Sequence, residues 1–234
     1  MDKLDLHREQ LRDSPFFTET KEAFKGEKFT HIRCLALGQP TASFQARYQL
    51  AYLLELADFL KVEPSNISHW DPVFDENDTE LLVKQLGHRV DEVYDVPTGQ
   101  VLYFMPHAEL TMTNDILKQE QPRWLLANNI VHHTDRYTKQ KLMDTYPLIA
   151  HIVHALESSA PNDKNEDKNA SSDGFERVAP KRRNRKQFVP QPITYNFDEY
   201  HFNGARQTSF THNQLKSAVW QNSFSDLSVL ELTP

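Results

Sequence analysis

Short strand-like segments, the clearest of them largely apolar, alternate with segments of helical periodicity between residues 31 and 156, and this alternation constrains the fold most. The strand-like segments lie at 31–38, 66–72, 89–94, 101–107 and 123–129, and the helical patterns at 41–60, 77–86, 110–119 and 137–156. Short runs without a polar face are typical of parallel strands that are covered on both sides. The pattern therefore predicts an α/β fold with a three-layer, Rossmann-like, mostly parallel sheet.

Four segments differ in composition. Residues 1–28 are charged and predict N-terminal amphipathic helices, broken where Ser14 precedes Pro15. Residues 29–157 form the α/β domain, and 158–187 predict a disordered polar and basic linker, since 158–174 contain no large apolar residue. Residues 188–234 are rich in aromatic side chains, and we expect this partly ordered extension to pack back on the domain and to bury Phe224 and Leu227.

Composition argues against several protein classes. Cys34 is the only cysteine, so no intramolecular disulfide can form. The charged N-terminus does not resemble a secretory signal, and no apolar stretch approaches the ~20 residues that span a bilayer. A net charge of −7 makes nucleic acid an unexpected partner. We expect a protein of the cytoplasm and nucleus. The basic run at 181–186 could be a nuclear import signal, a nonspecific contact with RNA or a solvated linker.

Polar residues follow four of the predicted strands, and they indicate a site for a small ligand. In open α/β sheets, ligands bind outside the carboxyl ends of the strands. Groups at 38–41, 70–72, 105–107 and 128–129 are predicted to meet at that edge. The ligand-binding candidates are Gly38, Thr41, Ser43, Arg47, Asp71, His107 and Asn128. If the pocket exists, the side chains of Arg47, Asp71 and His107 should converge in one cleft.

Each candidate also has a structural interpretation. Gly38 could serve only a tight turn, because a single glycine is far from the G-x-G-x-x-G fingerprint. Thr41 or Ser43 could cap a helix, or the free N–H groups there could bind an anion. Arg47 could reach that anion or pair with a carboxylate. Asp71 could hold a ribose hydroxyl or form a turn, and His107 could be a general base, a metal or haem ligand, or a hydrogen-bonded turn residue.

The pattern predicts neither a metal site nor a catalytic residue. His151 and His154 could share a helix face, and the adjacent His132 and His133 would point apart in a strand. No third ligand accompanies either pair, so surface histidines are the simpler interpretation. Cys34 lies in an apolar strand and is expected to be inert. The chain has no nucleophile elbow and no P-loop, and the sequence does not specify a cofactor.

Several blocks of sequence occur in the order found in a known family. They are the LALG of 35–38, the ARYQLA of 46–51, the DPVF of 71–74 with the acidic and leucine residues after it, the YFMPH of 103–107 and the NSFSDLS of 222–228. In these blocks the chain resembles the sensitivity-to-red-light-reduced family. The resemblance covers roughly residues 31 to 130 and the block near the C-terminus.

The resemblance implies a regulatory protein rather than an enzyme. The family is associated with light signalling and the circadian clock in plants, and fungal and animal members are linked to microtubule function and to haem biosynthesis. Protein partners are therefore expected, and so is a small-molecule or haem ligand. If the ligand is haem, His107 and Met105 are the side chains that could bind its iron. The alternative from the fold pattern is an enzyme of the nucleotide-binding type, such as an S-adenosylmethionine-dependent methyltransferase.

Overall fold

The computed structural model describes residues 3–159 and 192–234, so the predicted linker beyond 159 and the basic run lie outside the described residues. Within these ranges the strands are β1 (His31–Leu35), β2 (Ile67–Trp70), β3 (Arg89–Val90), β4 (Val101–Met105), β5 (Trp124–Asn128), β6 (Gly204–Ser209) and β7 (Leu227–Thr233). The helices are α1 (Lys3–Arg12), α2 (Pro15–Ala23), α3 (Phe44–Leu60), α4 (Glu76–Thr79), α5 (Leu110–Gln119), α6 (Ile130–Thr134), α7 (Lys139–Thr145), α8 (Pro147–Ser159) and α9 (His212–Leu215). A π-helical turn, Glu80–Gln85, continues α4.

The strands form one seven-stranded sheet in the order β3-β2-β1-β4-β5-β7-β6. Strands β1 to β5 are parallel, and β7 runs antiparallel to both β5 and β6. The predicted mostly parallel α/β sheet is therefore confirmed. The order of the first five strands reverses between β1 and β4, which makes that gap the topological switch point of the sheet.

Both faces of the sheet are covered, so its central strands are apolar on both sides. Side chains alternate along β1, where Ile32 and Cys34 enter one core and Leu35 enters the other. Helices α1 to α3 cover the first core, and α5, α7 and α8 cover the second. Because neither face needs a polar set, β4 is a continuous apolar run. β1 and β2 differ in that they also bury Arg33, Ser68 and His69.

Several elements differ from the predicted ones. The predicted helix 41–60 begins at Phe44 because Ser43 caps it, and the predicted strand 89–94 is reduced to Arg89–Val90. The single helix predicted at 137–156 is wrong. It is two helices that meet at Tyr146 and Pro147, since proline cannot donate the next helical hydrogen bond. Strand β6 was not predicted, and His132 and His133 lie in helix α6 rather than in a strand.

The two ends of the chain pack on the domain. Ser14 accepts a hydrogen bond from the Phe17 amide at 3.1 Å and caps α2, with Pro15 at the first helical position, as its sequence predicts. Phe224 and Leu227 are each 2% exposed, so the expected burial is observed. Among the described residues, the helices are all too short or too polar to cross a bilayer.

Candidate functional site

The loop after β1 is tied to the turn after β2 by Asp71. One oxygen of its carboxylate accepts a hydrogen bond from the Gly38 amide at 2.8 Å, and the other accepts from the Val73 amide at 3.1 Å. Gly38 has a φ of +73°, a conformation that favours glycine. The carboxylate of Asp71 thus occupies the loop N–H group that could otherwise meet a ligand.

A second carboxylate, Asp78, does the same for Thr41. It accepts from the Thr41 amide at 3.0 Å and from the Thr41 hydroxyl at 2.5 Å, while its other oxygen accepts from the Asp75 amide at 3.2 Å. Asp78 is fully buried. In the sequence, Asp78 is one of the acidic residues that follow the DPVF block, and no local pattern predicts that it would hold this loop.

Ser43 and Arg47 complete the loop with structural contacts. The Ser43 hydroxyl accepts from the Ala46 amide at 3.3 Å and caps α3. The guanidinium of Arg47 donates to the carbonyls of Pro40 and Thr41, at 3.1 and 2.8 Å. Its hydrogen-bond partners are therefore these two carbonyls of the loop before α3. They are not a carboxylate, which was one of the partners predicted from the sequence.

A cleft of about 570 Å³ opens beyond the carboxyl ends of β4 and β5, and we call it the edge cleft. It contains two of the predicted ligand-binding residues, His107 and Asn128. The other lining residues are Ala108, Glu109, Leu110, Thr111, His132, His133, Asp135, Arg136, Tyr137 and Tyr146. The edge cleft is thus polar, and its lining residues come from the ends of β4 and β5, from α5 and α6, and from the connections around α7.

His107 is held at the floor of this site by Gln49 of α3. The side-chain nitrogen of Gln49 lies 2.8 Å from His107 Nε2 and donates to the Ser223 carbonyl at 2.6 Å. Although His107 is exposed as a residue, this edge of its ring is turned inward. Desolvation therefore lowers the pKa of His107, and the nearby carboxylates of Asp226 and Asp71 only oppose that shift.

His133 forms an ion pair with Asp226, which comes from the segment that precedes β7. The hydrogen bond that His133 donates to the Asp226 carboxylate raises the pKa of His133, against the effect of its partial burial. The main chain reinforces this contact, since the Asn129 amide donates to the Asp226 carbonyl at 2.8 Å, and the Asn129 side chain caps α6. Sequence reasoning missed the pair because the two residues are 93 positions apart.

Thr41 and Arg47 line a different cleft, of about 380 Å³, with Lys3, Asn77 and Gln85. Arg47 and His107 therefore do not share a cleft, and Asp71 lines neither of the two. Met105 is fully buried in the core, so its sulfur does not reach the edge cleft. In the described ranges, no group of three His, Cys, Asp or Glu side chains is placed to hold a metal ion.

His151 and His154 pack against aromatic rings. His151 lies edge-on to Phe197, with ring centroids 5.0 Å apart, and its Nδ1 lies 2.7 Å from the Pro147 carbonyl. The ring of His154 stacks on Tyr195 at 3.8 Å. These contacts help to fix residues 195–202 on α8, which is a structural role.

Comparison with models of known protein families gives one match across this architecture. Residues 7–230 match the family model described as the SRR1 domain. The matched range includes α1 from residue 7 onward, α2, all of β1 to β6 and most of β7. It also includes His107 and His133 of the edge cleft and Asp226, the partner of His133.

Proposed function

The chain belongs to the SRR1 domain family, and from that premise we propose that it is a regulatory protein whose edge cleft binds a small ligand. The observation that carries the proposal is the position of the edge cleft. It lies at the carboxyl ends of β4 and β5, next to the switch point, where open α/β sheets bind their ligands.

The C-terminal segment supplies the means by which a bound ligand would be sensed. Ser223 accepts from Gln49, which also contacts His107, and Asp226 pairs with His133. A ligand that contacts the two histidines changes the interactions that hold this segment. We propose that protein partners recognise that change, in the cytoplasm and the nucleus.

The processes that such regulation would serve are those that the family resemblance implies. They are light or circadian input, microtubule-related processes and control of haem biosynthesis. The ligand of the edge cleft would set the activity of the protein in one of them. Gln49 occupies His107 Nε2 and Met105 is buried, so the two side chains that the sequence offers as haem ligands do not favour haem as the ligand of this cleft.

The experiment that tests the proposal is a thermal-shift screen of the full chain with nucleotides, S-adenosylmethionine, haem and small metabolites. A ligand at about 100 times its dissociation constant should stabilise the chain by about 2.7 kcal/mol. We expect this stabilisation to be lost in His107→Asn and in His133→Asn and kept in Arg47→Lys, which changes the other cleft. Loss in Arg47→Lys with retention in both histidine variants would contradict the proposal.

A methyltransferase is the second candidate, and the sheet topology favours it. The antiparallel β7 lies between β5 and β6, an order also used by S-adenosylmethionine-dependent methyltransferases. This is a fold-level analogy, and a fold hosts many functions. The loop after β1 has one glycine, Gly38, and the Asp71 carboxylate already accepts a hydrogen bond from the amide of that glycine. Stabilisation by S-adenosylmethionine that is lost in Asp71→Ala and kept in His107→Asn would favour this enzyme.

A further inference from the structure

Gln49 determines which nitrogen of His107 carries the proton. The Gln49 amide nitrogen lies 2.6 Å from the Ser223 carbonyl, which can only accept, so the nitrogen and not the oxygen of the amide faces that carbonyl. The same nitrogen lies 2.8 Å from His107 Nε2. Because it donates there too, Nε2 must be the acceptor, and the proton of the neutral ring is on Nδ1.

This arrangement makes His107 a hydrogen-bond donor toward the edge cleft. Its Nε2 is occupied by Gln49, so Nδ1–H is the N–H group that the neutral His107 ring can offer to the cleft that it lines. Protonation of Nε2 would set two donors against each other, so Gln49 and burial both keep the ring neutral. His107 therefore presents an N–H group and no lone pair.

His133 presents a second donor. Its Nε2 is bonded to Asp226 on the segment before β7, and that carboxylate favours the protonated ring. The other charged groups that act on it are Asp135 and Arg136, both on its own side of the cleft. The protonated ring keeps one N–H group beyond the one that Asp226 binds.

The remaining lining residues limit the charge of an occupant. Arg136 lies over the ring of Tyr137, 5.5 Å from its centroid, and adds a positive charge. Glu109 and Asp135 line the same cleft and would repel a polyanion such as a nucleoside triphosphate. They suit a ligand that also carries hydroxyl or amino donors.

We propose that the edge cleft takes a small metabolite with one anionic oxygen group, a carboxylate or a phosphate monoester, which accepts hydrogen bonds from His107 and His133. The inference rests on the proposed ligand-binding function and names the chemistry of the ligand. His107, His133 and Arg136, each with an N–H donor, line one cleft of metabolite size. The carboxylates of Glu109 and Asp135 in the same lining restrict the occupant to a single anionic group.

The test is imidazole ¹H–¹⁵N NMR of the full chain, titrated with acetate and with inorganic phosphate at constant ionic strength. We expect His107 as the Nδ1–H tautomer before any anion is added. At about pH 6, one anion should shift the His107 and His133 signals saturably. At about pH 9 its dissociation constant should be roughly tenfold higher, because His133 loses its charge. Acetate has the same charge at both pH values and so isolates the titration of His133.

Matched variants separate the explanations. His133→Asn should weaken binding of the anion at about pH 6 by the same roughly tenfold factor. His31→Asn, at the amino end of β1, should leave the dissociation constant of the anion unchanged. Gln49→Met should allow the Nε2–H tautomer of His107 to appear. An Nε2–H tautomer in the unchanged chain, or shifts that do not saturate with either anion, would overturn the inference.

The same titration distinguishes this inference from the proposed function on which it rests. If a neutral compound stabilises the chain through His107 and neither anion binds, the anion chemistry is wrong and the ligand-binding function stands. If no compound binds in a manner that depends on His107, both are wrong. The anion that saturates identifies the ligand class as a carboxylate or as a phosphate ester.

Discussion

Two buried histidines, His69 in β2 and His88 directly before β3, show how individual residues tie stability to protonation. His69 is fully buried and His88 is 4% exposed, and their rings stack with His69 Nε2 and His88 Nδ1 2.8 Å apart. One nitrogen of this contact must be unprotonated, so the two rings cannot both be protonated in this geometry. Burial lowers the pKa of His69 well below its usual value and lowers the pKa of His88 to about 4.

Acid should therefore destabilise the protein before its carboxylates titrate. In the unfolded chain His88 takes up a proton near pH 6.5, whereas in the folded chain it does so only near pH 4. The stability that the neutral ring contributes is therefore fully present above about pH 6.5 and is lost as the pH falls toward 4. We expect a loss of roughly 2 to 3 kcal/mol in the free energy of unfolding between about pH 7 and about pH 4.5. Urea unfolding at both pH values measures it.

Two variants assign that pH dependence to the pair. His88→Gln should reduce the difference in unfolding free energy between the two pH values, because only His69 then remains as a histidine of the pair with a lowered pKa. His132→Gln, at an exposed position of α6, should leave the difference as it is. An equal pH dependence in His88→Gln and the unchanged chain would show that other groups cause it.

At the scale of elements, α1 is attached to α3 through Glu55. The side chain of Glu55 is 5% exposed and accepts from Arg8 at 2.7 Å and from Arg12 at 2.9 and 3.0 Å. Burial alone raises the pKa of Glu55, but the hydrogen bonds from Arg12 and Arg8 outweigh it and the net shift is downward. This ion-pair network contributes stability above the usual pKa of a glutamate, and the contribution is lost as the pH falls below it.

Glu55→Gln should destabilise the protein by about 1 to 3 kcal/mol at neutral pH, because two guanidinium groups lose their buried counter-charge. Glu22→Gln is the matched control, since Glu22 pairs with Lys25 on an exposed surface, and it should cost less than about 0.5 kcal/mol. Chemical denaturation of both variants measures the difference. Equal effects would mean that α1 is held by its apolar contacts alone.

Elements whose signals are local could be predicted from the sequence. The apolar runs identified β1, β2, β4 and β5, and the Ser14 and Pro15 pair marked the start of α2. Strand β6 was missed because its sequence, GARQTS, is mostly polar, and among the described residues it pairs only with β7. The register with β7 decides its conformation, and that information lies elsewhere in the chain.

The candidate site was only partly predictable for the same reason. The carboxyl-edge rule identified His107 and Asn128 as candidates, and both line the edge cleft. The rule also selected Asp71, and Arg47 was a candidate because it could reach an anion at the start of the helix. Contacts with Gly38 and Pro40 use the polar groups of these two side chains. His133 was set aside as a surface histidine, because its partner Asp226 enters from a distant segment.

At the scale of the whole molecule, the two ends of the chain meet over α3. The ring of Phe224, near the C-terminus, lies 5.0 Å from Phe16 of α2 and 5.2 Å from Tyr52 of α3. Phe210 and Trp220 extend the same aromatic cluster from the C-terminal side. The N-terminal helices therefore complete a core that the C-terminal segment also needs, which is consistent with a family match that includes both.

Phe224→Ala should show that this cluster supports both the fold and the edge cleft. Removal of a fully buried phenylalanine ring costs about 3 to 5 kcal/mol, whereas Val219→Ala, at a side chain that is 40% exposed, should cost less than about 0.5 kcal/mol. Because Ser223 precedes Phe224 and binds Gln49, we also expect the variant to loosen the contact between Gln49 and His107. Urea unfolding gives the first effect, and the His107 tautomer in imidazole NMR gives the second. A stable Phe224→Ala protein with an unchanged His107 signal would mean that the C-terminal segment is held by β7 alone and that the cleft does not depend on the aromatic core.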